Sequence, residues 1–364
     1  MTTRTEFLEE ARPRAGIAFC SCGMLDRGPR RNRRPPRLPV KVNGKRVLTV
    51  DVHAHCYFRE AINLMGDEAD KVLPPVKGVP EHFIAIEQRL KEMDAMAIDM
   101  EVLSINPFWY RKDRDTAAEI VKISNEKLAE LCAARPDRFA AFASLPLQYP
   151  DLAVQQLETA VKKQGLRGAA IGGSVLGEDF SDPKFHPVWA KAEELGAVLF
   201  IHPQSTPELA KRFKGNGWLS NTIGNPLDTT IALQHLIFEG TLDRFPGLKI
   251  IAAHGGGYLP SYAPRARPRL LRLAAELQSE HQAEEEADRI SQPALFRRAG
   301  VHAGGAAPSG GAGRRQPGRA GHRPPDPLGA APSRPRLRDH DAPDKQKIAI
   351  LGGNAARLFG MKLA

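Results

Sequence analysis

From residue 47 onward, short apolar runs alternate with longer stretches whose apolar residues recur every three to four positions. VLTVDVH (47–53) is rich in β-branched residues, the pattern of a strand buried on both faces. HFIAIEQRLKEMDAMAI (82–98) has helical spacing, and MEVLSINP (100–107) predicts the next strand. DTAAEIVKISNEKLAELCAARP (115–136) predicts an amphipathic helix stopped by proline. FAAFASLPL (139–147) predicts a strand, and DLAVQQLETAVKKQG (151–165) a helix closed by glycine. RGAAIGG (167–173) and GAVLFIHP (196–203) predict two more strands around a helix over 184–195. NPLDTTIALQHLIFEGTLDRFP (225–246) leads into a further strand, LKIIAAHGGG (248–257).

This alternation implies parallel βαβ units. Six strands by residue 257 predict a (β/α)8 barrel, the TIM-barrel class, with two units to follow. The alternative, a doubly wound open sheet, is disfavoured because the first strand lacks the glycine fingerprint that holds a nucleotide. The expected organisation is a basic arm over 1–46, barrel strands one to six over 47–265, an off-pattern tract over 266–343, and a closing helix within 344–364 that contains KIAILGGNAARLFG.

Charge changes the picture less than its total suggests. The chain has 364 residues and a formal charge of +10. Residues 1–49 carry 12 Lys/Arg against 4 Asp/Glu, and residues 297–340 carry 9 Arg against 2 Asp. The body left over is mildly acidic. The basic segments are broken by Pro and Gly and hold almost no aromatic residues to stack bases, so a nucleic-acid partner is not expected. Cys20, Cys22, Cys56 and Cys132 form no paired metal motif, and reduced thiols are expected. With no signal-like apolar stretch at the N-terminus and no run of membrane-spanning length, the expected location is the cytoplasm, away from any membrane.

Four histidines fall where a barrel places its chemistry, at the C-terminal ends of strands. His53 and His55 end the first strand, His202 the fifth and His254 the sixth. Two apart on extended chain, His53 and His55 point to the same side and can share one metal, which His202 can complete from across the mouth. A lone histidine at a strand end is ordinarily a core or capping residue; four together are not. His235 reads as a plain helix residue, and His82 and His186 fall at loop or helix starts. HGGG at 254–257 also occurs in oxyanion holes of serine hydrolases, but the chain has no G-x-S-x-G elbow.

VDVHAHCYF, AFASLPLQYPDLA, RGAAIGG, LFIHPQ, AAHGGGYLPSYAPR and ILGGNAARLFG together resemble the amidohydrolase superfamily, in the branch of aminocarboxymuconate-semialdehyde decarboxylase. The resemblance covers 47–265 and about 346–364. It implies a (β/α)8 barrel with one divalent metal, usually Zn2+ with Mn2+ as the alternative, and non-oxidative decarboxylation of a small unsaturated or aromatic carboxylic acid. It implies His53, His55 and His202 as metal ligands, His254 as the acid/base that activates the water on the metal and handles the proton, and Arg265 as the group that binds the substrate carboxylate. A homodimer is the implied assembly. Hydrolysis or hydration of a related small acid is the alternative activity, and an inactive metal-binding barrel fragment is a third reading.

The superfamily also supplies an aspartate at the end of strand eight, in a pattern like G-T-D-x-P, and this sequence has none. Residues 297–340 hold 9 Arg, 9 Gly, 8 Ala and 7 Pro but only three of Val, Ile, Leu, Met, Phe, Trp or Tyr. No barrel strand is expected from that composition; the tract should be irregular. Codons can be chosen for Gly321–Leu328 so that the next frame reads GTDRPIPW. In the same frame, LFRRAGVHAGGA (295–306) can read YFDALVFTPEAL, a seventh strand and helix start. The matches fall in family order, so the expectation is a frameshift entered near 264–267 and left near 342–346, which removes the last two βα units.

Overall fold

The apolar runs become strands where the pattern marks them. A computed structural model describes residues 39–72, 85–204, 206–215, 219–262, 301–303 and 343–360. The strands are β1 (Val50–His55), β2 (Met100–Ser104), β3 (Phe139–Ala141, resuming as Ala143–Ser144), β4 (Gly168–Ile171), β5 (Val198–Ile201), β6 (Lys249–Ala252) and β7 (Val301–Ala303). All neighbours pair in parallel and in chain order. The pairing is continuous through Phe142, whose amide donates to the Leu103 carbonyl at 2.9 Å.

The crossovers are helical: α1 (Ile86–Met96), α2 (Arg114–Ala134), α3 (Pro150–Lys162), α4 (His186–Glu194) and α5 (Asn225–Phe238). In α2, Asp113 caps the first turn by accepting from the Thr116 amide at 3.0 Å. Its buried Ala117, Ile120, Val121, Ser124 and Leu128 keep helical spacing on one face. This is the (β/α)8 architecture, with seven of its strands among the described residues.

Period two divides the strand residues between two cores. Val198 and Phe200 on β5, Ala170 on β4 and Ile251 on β6 join Val102, Ala140 and Phe142 in one cluster inside the barrel. Leu199, Ile201, Ala169 and Ile250 pack outward with the helices. The same alternation carries His202, one step past Ile201, to the inside above Phe200.

β1 breaks this rule. Val50 and Val52 pack against the inner cluster, so strict alternation would turn His53 and His55 outward. The register against β2 instead slips: Asp51 faces Glu101, and the next pair is Ala54 with Leu103. One extra residue on β1 flips the phase, and both imidazoles turn inward while Ala54 and Cys56 join the outer core. The bulge amide is not orphaned, because His53 N–H donates to Asp51 Oδ1 at 2.9 Å.

Two expectations change. Residues 266–343 are not strandless, since Val301–Ala303 pairs with β6 as Val301↔Ile250, His302↔Ile251 and Ala303↔Ala252. Strand pairing is a backbone interaction, and these three residues include neither Pro nor Gly, which averaging over the tract concealed. The remainder of that tract up to residue 342 lies outside the described residues. KIAILGGNAARLFG is not one regular helix either. Helices Asp344–Ile348 and Asn354–Leu358 flank a π-turn at Ala349–Gly353. There a Cβ on Gly352 would lie 2.4 Å from the Leu48 carbonyl, and Phe359 packs on Phe142 with ring centroids 5.6 Å apart. The last residues of the basic arm also fold: Lys41–Val42 and Lys45–Arg46 form a hairpin about Asn43-Gly44, both at positive φ.

Candidate metal centre

The bulge in β1 and the end of β5 bring three histidines together. Nε2 of His55 stands 3.1 Å from Nε2 of His53 and 3.2 Å from Nε2 of His202. Donors held 2.0–2.1 Å from one ion at tetrahedral angles stand about 3.3 Å apart, so the spacing suits a shared cation. Ring nitrogens of all three lie within 4.8 Å of one another, and among the described residues they are the only such group of candidate donors. Phe200 forms the floor, with its ring 5.4 Å from that of His53.

The electrostatics favour lone pairs over protons. Burial lowers the pKa of His53 from 6.5 to about 4. His55 and His202 are held well below the usual range by burial, and by repulsion among the neighbouring imidazoles. All three are neutral at pH 7, the state that ligates a metal. The Ser104 hydroxyl donates to the Ala54 carbonyl at 3.3 Å and lies 3.1 Å from His55 Nδ1. With its proton committed to the carbonyl, it accepts from Nδ1–H and leaves the Nε2 lone pair of His55 facing the cluster.

His254 completes the group from the end of β6. Its ring centroid lies 5.3 Å from that of His53 and 5.0 Å from that of His202. Neither ring nitrogen has a hydrogen-bond partner among the described residues, although both are buried, and burial lowers its pKa to about 4. Its backbone shows why HGGG follows. His254, Gly255, Gly256 and Gly257 take φ values of +54°, +66°, +78° and +64° in succession. Three of these left-handed positions cost glycine nothing, and at Gly257 a Cβ would meet the Pro226 carbonyl at 2.2 Å. The motif is a tight turn pressed on the start of α5, and it presents His254 to the mouth.

His53, His55, His202 and His254 therefore converge, whereas Arg265 lies outside the described residues. His235 sits on α5 away from this group, between Asp179 at 3.3 Å and Glu239 at 2.5 Å. His186 opens α4 and packs on Phe245, and His82 lies outside the described residues.

Sequence reading passed over the supporting groups Asp51, Arg89, Glu101, Ser104 and Asp228. Arg89 had a legible signal: it falls on the same helical face as Leu90 and Met93, where a charge is out of place. Asp228 is buried against Gly173, and a Cβ there would lie 2.4 Å from Asp228 Oδ2. Burial pushes this carboxyl up to about 7, opposed by the backbone amide of Gln204.

The amidohydrolase family profile matches residues 50–294. The chain is 34% identical over 174 residues to 2-amino-3-carboxymuconate-6-semialdehyde decarboxylase of Dictyostelium discoideum, covering 47% of this chain and 48% of that one. It is 37% identical over 184 residues to gamma-resorcylate decarboxylase of Rhizobium radiobacter, covering 48% and 56%. It thus spans about half the length of the curated relatives it matches. Among solved structures, a 2,6-dihydroxybenzoate decarboxylase complexed with 2,6-dihydroxybenzoate aligns with a TM-score of 0.56 at 28% identity, over 70% of this chain and 79% of the other.

Proposed function

The chain belongs to the amidohydrolase family, and on that premise we propose that it is a metal-dependent, non-oxidative decarboxylase of a small aromatic or unsaturated carboxylic acid. The observation that carries this reading is the convergence of three neutral imidazoles, His53, His55 and His202, beside a fourth, His254, whose buried ring nitrogens have no partner. The first three would hold a divalent ion, and three imidazole nitrogens favour zinc over manganese. When bound, that ion supplies a Lewis acid for a substrate oxygen.

The remaining chemistry belongs to the chain. Loss of CO2 leaves an electron pair on the carbon that bore the carboxylate, and a proton must arrive there. His254, neutral at pH 7, takes a proton from a hydroxyl or enol of the bound acid and returns it to that carbon. Arg265 is assigned to the substrate carboxylate by family resemblance. The buried floor at Phe200 and the helical shell keep bulk water from competing for the proton. We read the assembly as a cytoplasmic homodimer. No helix among the described residues is long and apolar enough to cross a membrane.

The chain is also proposed to be impaired as written, because residues 266–343 stand out of frame and the strand-eight aspartate is missing. The test is CO2 release from 2,6-dihydroxybenzoate and from an aminocarboxymuconate semialdehyde, with and without a chelator, by this chain and by one carrying the restored frame. Chelator-sensitive CO2 release by the restored chain supports the reading. Metal-dependent hydrolysis or hydration with no CO2 from either acid would replace it.

A further inference from the structure

The bulge in β1 takes Val52 and His53 out of the regular ladder, which resumes at Ala54 and carries His55 opposite Ser104. What anchors it is a buried charge. Arg89, on α1, donates from Nη1 to Glu101 Oε2 at 2.8 Å and from Nη2 to the backbone carbonyl of His55. Arg89 and Glu101 side chains are only 7% and 6% exposed. Glu101 is the β2 partner of Asp51, the last residue in register before the slip. Asp51 in turn accepts the His53 amide inside the bulge. The three charged groups therefore bracket the irregular stretch: Asp51 at its entry, Glu101 across the ladder, and Arg89 at its exit on His55.

A buried ion pair is poor value as a stabiliser. Its desolvation cost offsets most of the Coulomb attraction, and well-packed apolar replacements are often as stable or more so. Burial accordingly pushes the Glu101 carboxyl up even with Arg89 beside it. What the pair supplies is direction. A guanidinium has donors in a rigid planar fork, so one group can fix a carboxylate on β2 and a carbonyl on β1 at a set separation.

We propose that the Arg89–Glu101 pair is a positioning device for the metal centre, fixing the β1 bulge so that His53 and His55 face His202. Arg89 touches neither substrate nor ion; it acts through the His55 carbonyl. The inference rests on the metal reading above.

The experiment is calorimetric Zn2+ titration and thermal unfolding of the metal-free protein, comparing wild type with the paired replacement Arg89→Met/Glu101→Leu. The pair is removed together so that neither partner is left as a lone buried charge. The expected result is an unfolding temperature equal to or above wild type with Zn2+ affinity reduced by roughly 10–100-fold, the range for losing a group that orients a ligand. A merely structural pair gives the reverse pattern: lower stability and unchanged affinity, which overturns the proposal. Should the double variant fail to fold, Arg89→Lys decides. An ammonium lacks the planar fork, so affinity should fall at least about tenfold; affinity equal to wild type overturns the proposal. Wild type that binds no Zn2+ overturns the metal reading and this inference with it, whereas binding in wild type and equally in the variants overturns this inference alone.

Discussion

Nε2 of His55 and Nε2 of His202 stand 3.2 Å apart, although 147 residues separate them in the chain. Two neutral imidazoles with both lone pairs turned to one point repel unless something between them accepts both. Neutral rings at that distance are placed either to hydrogen-bond to each other or to share a cation, and the neutral state that both require can be tested directly.

The first prediction concerns acid stability of the metal-free protein. His53 and His254 are held at about 4, and His55 and His202 well below the ordinary value, all chiefly by burial. In the unfolded chain these groups titrate near 6.5. Between pH 6.5 and 4 the unfolded state binds more protons, so their contribution to stability is complete above 6.5 and lost as pH falls through that window. Urea denaturation at a series of pH values should show this decline, and a shallower one for His202→Asn. Parallel curves for the two proteins would count against burial of neutral imidazoles.

A second prediction concerns the seam between β4 and β5, at the end far from His202. Gly168 opens β4 at φ +142°, and a Cβ there would sit 1.9 Å from the Val198 carbonyl. That neighbour is backbone and cannot rotate away. Gly168→Ala should cost about 3 kcal/mol or more, the range of backbone strain added to overpacking. Denaturant unfolding measures it, and a loss below about 1 kcal/mol would mean that β4 and β5 separate easily.

How much of this was legible in the sequence follows from what each element depends on. β2, β4, β5 and β6 are set by local apolar runs, and the residues at their C-terminal ends followed. His202 came out facing inward because Val198 and Phe200 share its phase. β1 was harder. Its two histidines were read on one side, correctly, but which side depends on a register slip against β2 that no local pattern records. β7 was missed because composition over a long tract hides three residues able to pair. Arg89 and Glu101 were passed over because their roles are tertiary, one on a helix and one on a strand.

Removing the acid/base should separate binding from chemistry. His254→Ala, in a chain with the restored frame, should lower kcat by about 10²–10⁴-fold, the usual worth of a positioned proton-transfer group, with metal affinity unchanged. Steady-state CO2 release beside a metal titration gives both values. Loss of metal together with activity would make His254 a ligand instead.

The frame itself is the next prediction. Sequencing the gene over codons 264–346 should reveal one shift in and one shift out. The restored chain should hold metal more tightly than the chain as written, by at least roughly 10–100-fold, because a first carboxylate ligand matters no less than a group that merely orients one. Equal affinity and equal turnover in the two chains would remove both the shifted frame and the aspartate from the account.

The most direct measurement is the metal content of the purified chain itself. Metal-free protein is titrated with Zn2+ by calorimetry, alongside His55→Ala and His202→Ala, and folding is monitored by circular dichroism. The wild type should take up about one ion per chain, and affinity should be lowered by roughly 10–100-fold or more in each folded variant. A wild type that takes up no ion, or one whose binding survives both substitutions unchanged, would contradict the metal reading.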